Sequence, residues 1–285
     1  MIYFSIIIPT LGRTAELDHL LDSILKYRID HILEVIIVDQ NNDNRLEDIV
    51  KKFQDKLPII HCLVNFKGAS QARNYGSRLA KGDYLAFPDD DCLILENTFF
   101  NALNTIIQTN GDIIYGKCVD KDGYDSVTVF RKYPFWLNSK NMEGGFVEAT
   151  TFCRRIVFDS YIFDEKMGVG TFFGAEEAYD WLYRILKDKK FTAYYTPDIL
   201  FYHPKAINVK GDENSLRRVF TYSCGKAYLY KKHKFYFKYL KEIIKSLIGV
   251  FIYLLVNSKY SKFYRIQVYA LLVGFETGNP NSTTK

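Results

Sequence analysis

The sequence predicts an α/β protein: a mostly parallel sheet flanked by helices, followed by a C-terminal helical extension. In the N-terminal half, short apolar runs alternate with segments that have helical hydrophobic spacing. Polar residues, among them Thr10, Asp39 and Asp89, follow closely after three of these runs. Residues 215–275 have helical spacing only. Because strands that alternate with helices form parallel sheets covered on both faces, the first half predicts such a sheet.

The individual elements follow from this pattern. Buried strands are predicted over residues 3–8, 34–38, 59–64 and 85–87. Helices are predicted over residues 14–27, 45–56 and 69–80, with Thr14 as the N-cap of the first. Ligands of such sheets bind beyond the carboxyl ends of the strands, so Thr10, Asp39 and Asp89 are expected along one crevice.

Composition limits the protein class. The chain has 285 residues, of which 48% are hydrophobic and 16% aromatic, which is enough for one large core or two smaller ones. No pair of its five cysteines has C-x-x-C spacing, so neither a disulfide framework nor a zinc site is indicated, and a reducing cytosol is expected. The apolar residues 2–8 are followed by Pro9 and Arg13, and no small-residue cleavage site appears after them. This pattern favours a strand over a signal peptide.

Three consecutive carboxylates, Asp89, Asp90 and Asp91, follow the fourth predicted strand. If the strand continued through them, its period of two would direct Asp89 and Asp91 to the same side. Two such carboxylates suit a hard divalent cation shared with the phosphates of a substrate. A solvated acidic turn is the alternative interpretation of the triplet.

A nucleotide-binding glycine motif is missing from the sequence. Neither G-x-G-x-x-G nor G-x-x-x-x-G-K-[ST] follows the first strand, which disfavours a dinucleotide fold and a P-loop. A diphosphate would then need a metal and cationic side chains. The stretch from Gly68 offers Arg73 in the first turns of a helix that Ser70 could cap. A surface arginine on an amphipathic helix is the alternative.

Together, these stretches resemble inverting glycosyltransferases of family 2 with the GT-A fold, a Rossmann-like architecture, and in particular the bacterial enzymes that build capsules and O-antigens. The resemblance covers about residues 3–205. The matching stretches are residues 4–10 with Arg13, 35–39, 68–76, 87–92, 163–165, 168–174, 176–180 and 202–204.

The resemblance implies roles for individual residues. Asp89 and Asp91 would lie at a Mn²⁺ or Mg²⁺ ion, with Asp91 as a ligand and His203 as a third ligand; a structural His203 is the alternative. The residues implied for binding the nucleotide sugar are Pro9, Thr10, Arg13, Asp39, Arg73, Asp89 and Asp90.

The same resemblance implies a catalytic base, because inversion requires a carboxylate that takes the proton of the acceptor hydroxyl. The family has two adjacent acids before a helix that continues with an acid and, four residues later, an arginine. Asp180 and Arg184 keep that spacing, which aligns Glu177 with the first acid and Ala178 with the second. Glu177 is the predicted base and Glu176 the alternative.

The C-terminal segment is basic and aromatic. Between Lys226 and Arg265 the chain has ten basic residues and one acid, Glu242. The apolar run from Ser246 to Val256 is well below the ~20 residues that span a bilayer. The composition is typical of a helix on an anionic membrane surface. A helix pair packed within the protein and a dimer interface are the alternatives, and no nucleic-acid motif is found.

The predicted organisation has three segments. Residues 1–115 form the nucleotide-sugar-binding part of a GT-A domain, residues 116–210 its acceptor-binding and catalytic-base part, and residues 211–285 the helical extension. The predicted function is metal-dependent transfer of a sugar from a nucleotide sugar, a UDP-sugar by expectation, to a lipid-linked glycan acceptor in surface polysaccharide synthesis. The expected location is cytoplasmic, peripheral on the inner face of the membrane. Two alternatives stay open, a non-catalytic nucleotide-sugar-binding or scaffold subunit and a nucleotidyltransferase.

Overall fold

The structure, a computed structural model, describes residues 3–205 and 212–278. The chain divides into two compact units. The first comprises residues 1–163 and 181–206, and the second comprises residues 164–180 and 207–285. The predicted boundary between residues 210 and 211 lies outside the described residues.

A nine-stranded sheet forms the centre of the first unit in the described part of the chain. Its order is β3-β2-β1-β4-β8-β6-β9-β5, and β7 also pairs with β9. The strands are β1 (Phe4–Thr10), β2 (Ile32–Asp39), β3 (Ile59–Leu63), β4 (Tyr84–Ala86), β5 (Leu93–Ile94), β6 (Ile113–Val119), β7 (Phe135–Leu137), β8 (Thr151–Arg154) and β9 (Ala193–Tyr202).

The helices flank this sheet or form the C-terminal part of the chain. They are α1 (Ala15–Tyr27), α2 (Glu47–Phe53), α3 (Ala69–Leu79), α4 (Thr98–Thr109), α5 (Arg155–Ser160), α6 (Glu177–Asp188), α7 (Glu213–Lys232), α8 (Tyr236–Val256) and α9 (Ser258–Thr277). The predicted α/β class, with a central sheet between helices and helices at the C-terminal end, is confirmed.

The first four strands are parallel, as the alternating pattern predicts. β1 lies between β2 and β4, and every residue of β1 is buried. The register of β1 on β2 pairs Thr10 with Asp39, so the two polar residues end their strands side by side. Beyond β4 the sheet is mixed, because β8 runs antiparallel to both β4 and β6, whereas β6 and β9 are parallel.

Helix α3 packs closely on this parallel part. A Cβ atom on Gly76 would lie 2.5 Å from Ile7 Cγ2 and 3.1 Å from Val38 Cγ2, so glycine permits the helix to approach β1 and β2. The predicted serine cap of α3 is wrong, because the N-cap residue is Gly68 and Ser70 lies inside the helix. Thr14 occupies the N-cap position of α1 as predicted, but its side chain makes no capping hydrogen bond.

The second unit contains α7, α8 and α9, which confirms helices at the C-terminal end of the chain. Asp212 caps α7 by accepting a hydrogen bond from the Ser215 amide, and Asn257 caps α9 in the same manner. Among the described residues, no helix combines the length and the apolar composition that crossing a bilayer requires.

Candidate active site

Asp39, at the end of β2, is buried and held by two neighbours. Its Oδ1 accepts hydrogen bonds from the Asn41 amide at 2.9 Å and from Asn41 Nδ2 at 2.7 Å. Its Oδ2 lies 2.9 Å from Nε2 of His61, which is on β3. The carboxylate is therefore fixed at the carboxyl edge of the sheet next to Thr10.

Side chains after β2 connect the loops at this edge. Asn41 Oδ1 accepts a hydrogen bond from the Gly12 amide at 2.7 Å, and Gln40 Oε1 accepts one from the Gly68 amide at 2.7 Å. Gln40, Asn41 and His61 were not predicted from the sequence. The first two could have been found, because they directly follow Asp39 at a predicted strand end, whereas His61 is recognised only once β3 is known to pair with β2.

The acidic triplet lies in a turn, and the prediction that it ends a strand is wrong. β4 ends at Ala86, and the Cys92 amide donates to the Asp89 carbonyl at 3.0 Å, which closes a turn over Asp90 and Asp91. Strand alternation therefore does not align Asp89 and Asp91. The turn itself brings them together, and one ligand atom each of Asp89, Asp91, Cys92 and His203 lies within 4.8 Å of the others.

His203 is oriented towards the two carboxylates. It directly follows β9, and its Nδ1 lies 2.8 Å from the carbonyl oxygen of Pro204. A carbonyl only accepts, so Nδ1 carries the hydrogen and Nε2 has a lone pair in the neutral ring. This Nε2 lies 3.7 Å from Asp91 Oδ1 and 3.9 Å from Asp89 Oδ2.

The donor set fits a hard divalent cation. Asp91 Oδ1 is buried and has no hydrogen-bond partner among the residues that the structure describes. A buried carboxylate oxygen without a partner is costly unless a cation compensates it. Two carboxylates and an imidazole suit Mn²⁺ or Mg²⁺. The Cys92 thiol fits such an ion poorly, because burial raises its pKa well above the usual range and keeps it protonated.

Two arginines partly compensate the charge of the triplet. Arg13 Nη1 lies 2.5 Å from Asp90 Oδ1, and Arg13 Nη2 lies 2.8 Å from Asp91 Oδ2. Arg73 Nη2 lies 2.7 Å from Asp89 Oδ1. Burial raises the pKa of the Asp90 carboxyl above its ordinary value, although the charge of Arg13 opposes this shift.

Arg73 is an interior residue of α3 and not a surface residue. Only 2% of it is exposed, and its guanidinium carbon lies 5.7 Å from the centre of the Phe163 ring. The pair with Asp89 fixes one end of the acidic turn to the helix. The alternative of a solvated arginine on an amphipathic helix is therefore wrong.

The predicted base region lies in the second unit. Glu177 is the first residue of α6 and is 4% exposed, whereas Glu176 is partly exposed and has a left-handed backbone with φ of 72°. The Glu176 carbonyl accepts the first helical hydrogen bond, from Asp180. Non-glycine residues with positive φ are uncommon and concentrate at functional sites.

One turn after Glu177, Asp180 is fully buried between two basic side chains. Lys232 Nζ and His233 Nε2 each lie 2.8 Å from Asp180 Oδ1. Lys232 Nζ also lies 2.7 Å from Asp164 Oδ2, so this lysine connects the segment of residues 164–180 to the end of α7. Lys232 and His233 were not predicted from the sequence, because they are more than 50 residues from Asp180 in the chain and no local pattern indicates the contact.

The two tryptophans occupy different environments. Trp181 is buried and donates its indole N–H to the Tyr161 carbonyl, which makes it a core residue. Trp136, on β7, is about half exposed and packs edge-on against Tyr194. Of the two tryptophans, only Trp136 is therefore available at the surface for stacking on a sugar ring.

Comparisons with known proteins identify the family of the chain. The family model described as glycosyl transferase family 2 matches residues 5–161. An uncharacterised glycosyltransferase of Haemophilus influenzae is 29% identical over 230 residues, which are 76% of this chain and 74% of that protein. The poly(ribitol-phosphate) β-N-acetylglucosaminyltransferase TarP of Staphylococcus aureus is 31% identical over 40% of this chain and 36% of its own length.

Solved structures share the fold at low sequence identity. The S. aureus TarS fragment of residues 1–349 has a TM-score of 0.62 at 15% identity, over 95% of this chain and 92% of that one. Its complex with UDP-GlcNAc has a TM-score of 0.59 at 20% identity, over 78% and 65% of the two chains. The mannosyltransferase of Pyrobaculum calidifontis, in complex with GDP-Man and Mn²⁺, has a TM-score of 0.55 at 14% identity, over 97% and 73%. The fold, the polar strand ends and the family match lead to one conclusion: the chain belongs to glycosyl transferase family 2 and has the GT-A fold.

Proposed function

We propose that this protein is an inverting, metal-dependent glycosyltransferase that uses a nucleotide sugar, by preference a UDP-sugar, as its donor. The observation that carries this proposal is the cluster of Asp89, Asp91 and His203, in which a buried carboxylate oxygen lacks a hydrogen-bond partner among the described residues. Relatives add support, since TarS is solved with UDP-GlcNAc and TarP is named as an N-acetylglucosaminyltransferase.

The donor would bind along the carboxyl edge of β1, β2 and the acidic turn. Pro9, Thr10 and Asp39 would hold the nucleotide base, where Asp39 is already fixed by Asn41 and His61. Asp89, Asp91 and His203 would hold a divalent cation, which neutralises charge on the leaving diphosphate when bound. Asp90 would take part in donor binding through its pair with Arg13.

The two arginines have separate parts in this proposal. Arg13 is partly exposed and pairs with Asp90 and Asp91, so it can move from those carboxylates to the incoming diphosphate. Arg73 is buried against Asp89 and keeps the acidic turn in place. A guanidinium that exchanges a carboxylate for a phosphate keeps the same planar donor geometry.

Transfer with inversion takes place in one displacement. The acceptor hydroxyl oxygen forms the new bond to the anomeric carbon while the bond from that carbon to the diphosphate oxygen breaks. The bonding electron pair leaves with the nucleoside diphosphate, and the hydroxyl proton passes to a carboxylate. We assign this base to Glu177, with Glu176 as the alternative.

The proposed acceptor is a lipid-linked glycan of surface polysaccharide synthesis, of capsule or O-antigen type. The enzyme would then act at the inner face of the cell membrane as a peripheral protein. Two relatives support a polymeric acceptor, since TarP and TarS are named as poly(ribitol-phosphate) β-N-acetylglucosaminyltransferases. Exposed Trp136 is a side chain on which a sugar ring of the acceptor could stack.

The experiment that tests the base compares Glu177→Gln with Glu176→Gln, and uses Glu47→Gln, an exposed acid on α2, as the matched control. UDP release from a panel of UDP-sugars and UDP binding are measured in parallel. Glu177→Gln should lower turnover by at least about a hundredfold, the usual contribution of a general base, and leave UDP binding unchanged. If only Glu176→Gln does so, Glu176 is the base. If both variants turn over like the control, the proposed mechanism is wrong.

A non-catalytic nucleotide-sugar-binding subunit is the second candidate. It is favoured by Ala178, which stands where the family's second acid is expected. Purified wild-type protein that binds UDP-sugars but neither hydrolyses nor transfers any of them would support this candidate.

A further inference from the structure

Helix α8 of the second unit exposes a continuous stripe of large apolar side chains. The stripe consists of Phe237, Leu240, Ile244, Ile248, Phe251 and Leu255, whose spacing of three and four residues places them on one side of the helix. Phe237 is 82% exposed and Leu255 is 91% exposed. Helices of globular proteins usually turn such a face inward, so this stripe is suited to a partner outside the chain.

The opposite side of α8 is already packed against α9. Ser246 and Gly249 are buried there, and a Cβ atom on Gly249 would lie 2.6 Å from the Tyr264 ring. Tyr253 stacks on the same Tyr264 ring at a centroid distance of 5.4 Å. Small residues thus bring the two helices into close contact, and the apolar stripe faces away from this interface.

A row of lysines borders the stripe. Lys238, Lys241 and Lys245 are exposed and are spaced three and four residues apart, so they lie along one side of the helix. The only acid in the α8 sequence, Glu242, lies near Lys226, with 3.7 Å between Nζ and Oε1. The outward side of α8 is therefore apolar with a purely cationic border.

We propose that this outward face of α8 binds the surface of a membrane that contains anionic lipid. The apolar stripe would enter the boundary between headgroups and acyl chains, and the three lysines would contact the headgroup phosphates. The helix would lie in the plane of the surface, because no helix in the described part of the chain is suited to cross a bilayer.

The cationic border favours a lipid surface over a second copy of the chain. An isologous contact would bring the same face of two copies together, so antiparallel helices would have their lysine rows on the same side. Anionic headgroups instead attract each lysine by about 1 kcal/mol. The proposal deepens the proposed function, whose acceptor is lipid-linked, but vesicle binding and UDP binding are separate measurements and can fail separately.

The test is flotation of the full chain with vesicles of phosphatidylcholine and phosphatidylglycerol, and with vesicles of phosphatidylcholine alone. Binding should require phosphatidylglycerol and weaken as salt is added. Replacing Lys238, Lys241 and Lys245 together by Gln should lower the partition coefficient about a hundredfold. This estimate takes about 1 kcal/mol of attraction to the anionic surface for each lysine. The matched control replaces Lys187, Lys189 and Lys190, which are exposed at the end of α6, and should bind like the wild type.

A second variant separates the apolar contribution from the charge. Phe251→Glu should remove vesicle binding without unfolding the protein, because the side chain is 70% exposed, and circular dichroism checks the fold. Wild-type protein that stays unbound, or that binds both vesicle types equally, overturns the proposal. A dimer in light scattering that Phe251→Glu dissociates, with no vesicle binding, would assign the face to a second copy and overturn it as well.

Discussion

His203 Nε2 lies 3.7 Å from Asp91 Oδ1, a buried oxygen without a hydrogen-bond partner among the described residues. The two residues come from distant parts of the chain, the end of β9 and the turn after β4. The Pro204 carbonyl fixes the imidazole so that its lone pair faces the carboxylates. This separation leaves space for a small cation bound to both atoms, since Mg²⁺ binds ligands at about 2.0–2.1 Å.

The first prediction concerns His203 as a ligand. His203→Ala should weaken Mn²⁺ binding by at least about tenfold, because the cation loses one of its ligands. A tenfold loss of affinity corresponds to ~1.4 kcal/mol of binding free energy. Thermal shift against Mn²⁺ concentration measures this, and exposed His19→Ala on α1 is the control. Equal Mn²⁺ dependence in both variants would mean that His203 is structural.

The second prediction concerns the charge balance of the acidic turn. Arg13→Gln leaves Asp90 and Asp91 with less compensating charge, so in EDTA the free energy of unfolding should fall by about 1–2 kcal/mol. Mn²⁺ should then raise the midpoint of the variant more than that of the wild type, because the cation takes over the compensation.

The control for Arg13 is Arg45→Gln. Arg45 pairs with Asp43 on the surface, with both side chains well exposed, and its loss should cost less than about 1 kcal/mol. If Mn²⁺ raises the midpoint of Arg13→Gln and of the wild type equally, Arg13 and the cation do not compensate the same carboxylates, Asp90 and Asp91.

The third prediction concerns the anchor of the base region. Lys232→Met leaves Asp180 fully buried without the charge of the lysine, and breaking such a pair should lower the free energy of unfolding by about 3 kcal/mol. Urea denaturation followed by circular dichroism measures the loss. Exposed Lys187→Met on α6 is the control. A loss below about 1 kcal/mol would indicate that the burial of Asp180 does not depend on Lys232.

Local patterns in the sequence were enough to predict the parallel half of the sheet. Buried β-branched strands and amphipathic helices have different periods, so β1, β2 and β3 are found within a few residues of their predicted bounds. The same patterns place Thr10 and Asp39 at strand ends, because the end of a buried apolar run can be read from neighbouring residues in the sequence. The C-terminal helices are recognisable for the same reason.

Contacts between distant residues could not be predicted in this way. Lys232 with Asp180 and His61 with Asp39 depend on how the elements pack. The acidic triplet shows a related limit. Asp89 and Asp91 converge as predicted, but a turn brings them together where strand alternation was expected. Both conformations are compatible with a D-x-D sequence, so the residue pattern alone does not distinguish them.

The most direct test of the account is calorimetric titration of UDP into the protein with Mn²⁺ and with EDTA. The wild type should bind UDP at least about tenfold more tightly with Mn²⁺, equivalent to ~1.4 kcal/mol. Asp91→Asn, which keeps the shape but removes the charge, should bind UDP equally in both buffers, whereas the surface control Asp43→Asn should behave like the wild type. Wild-type protein that binds UDP with the same affinity in EDTA as in Mn²⁺ would contradict the metal site at Asp89, Asp91 and His203.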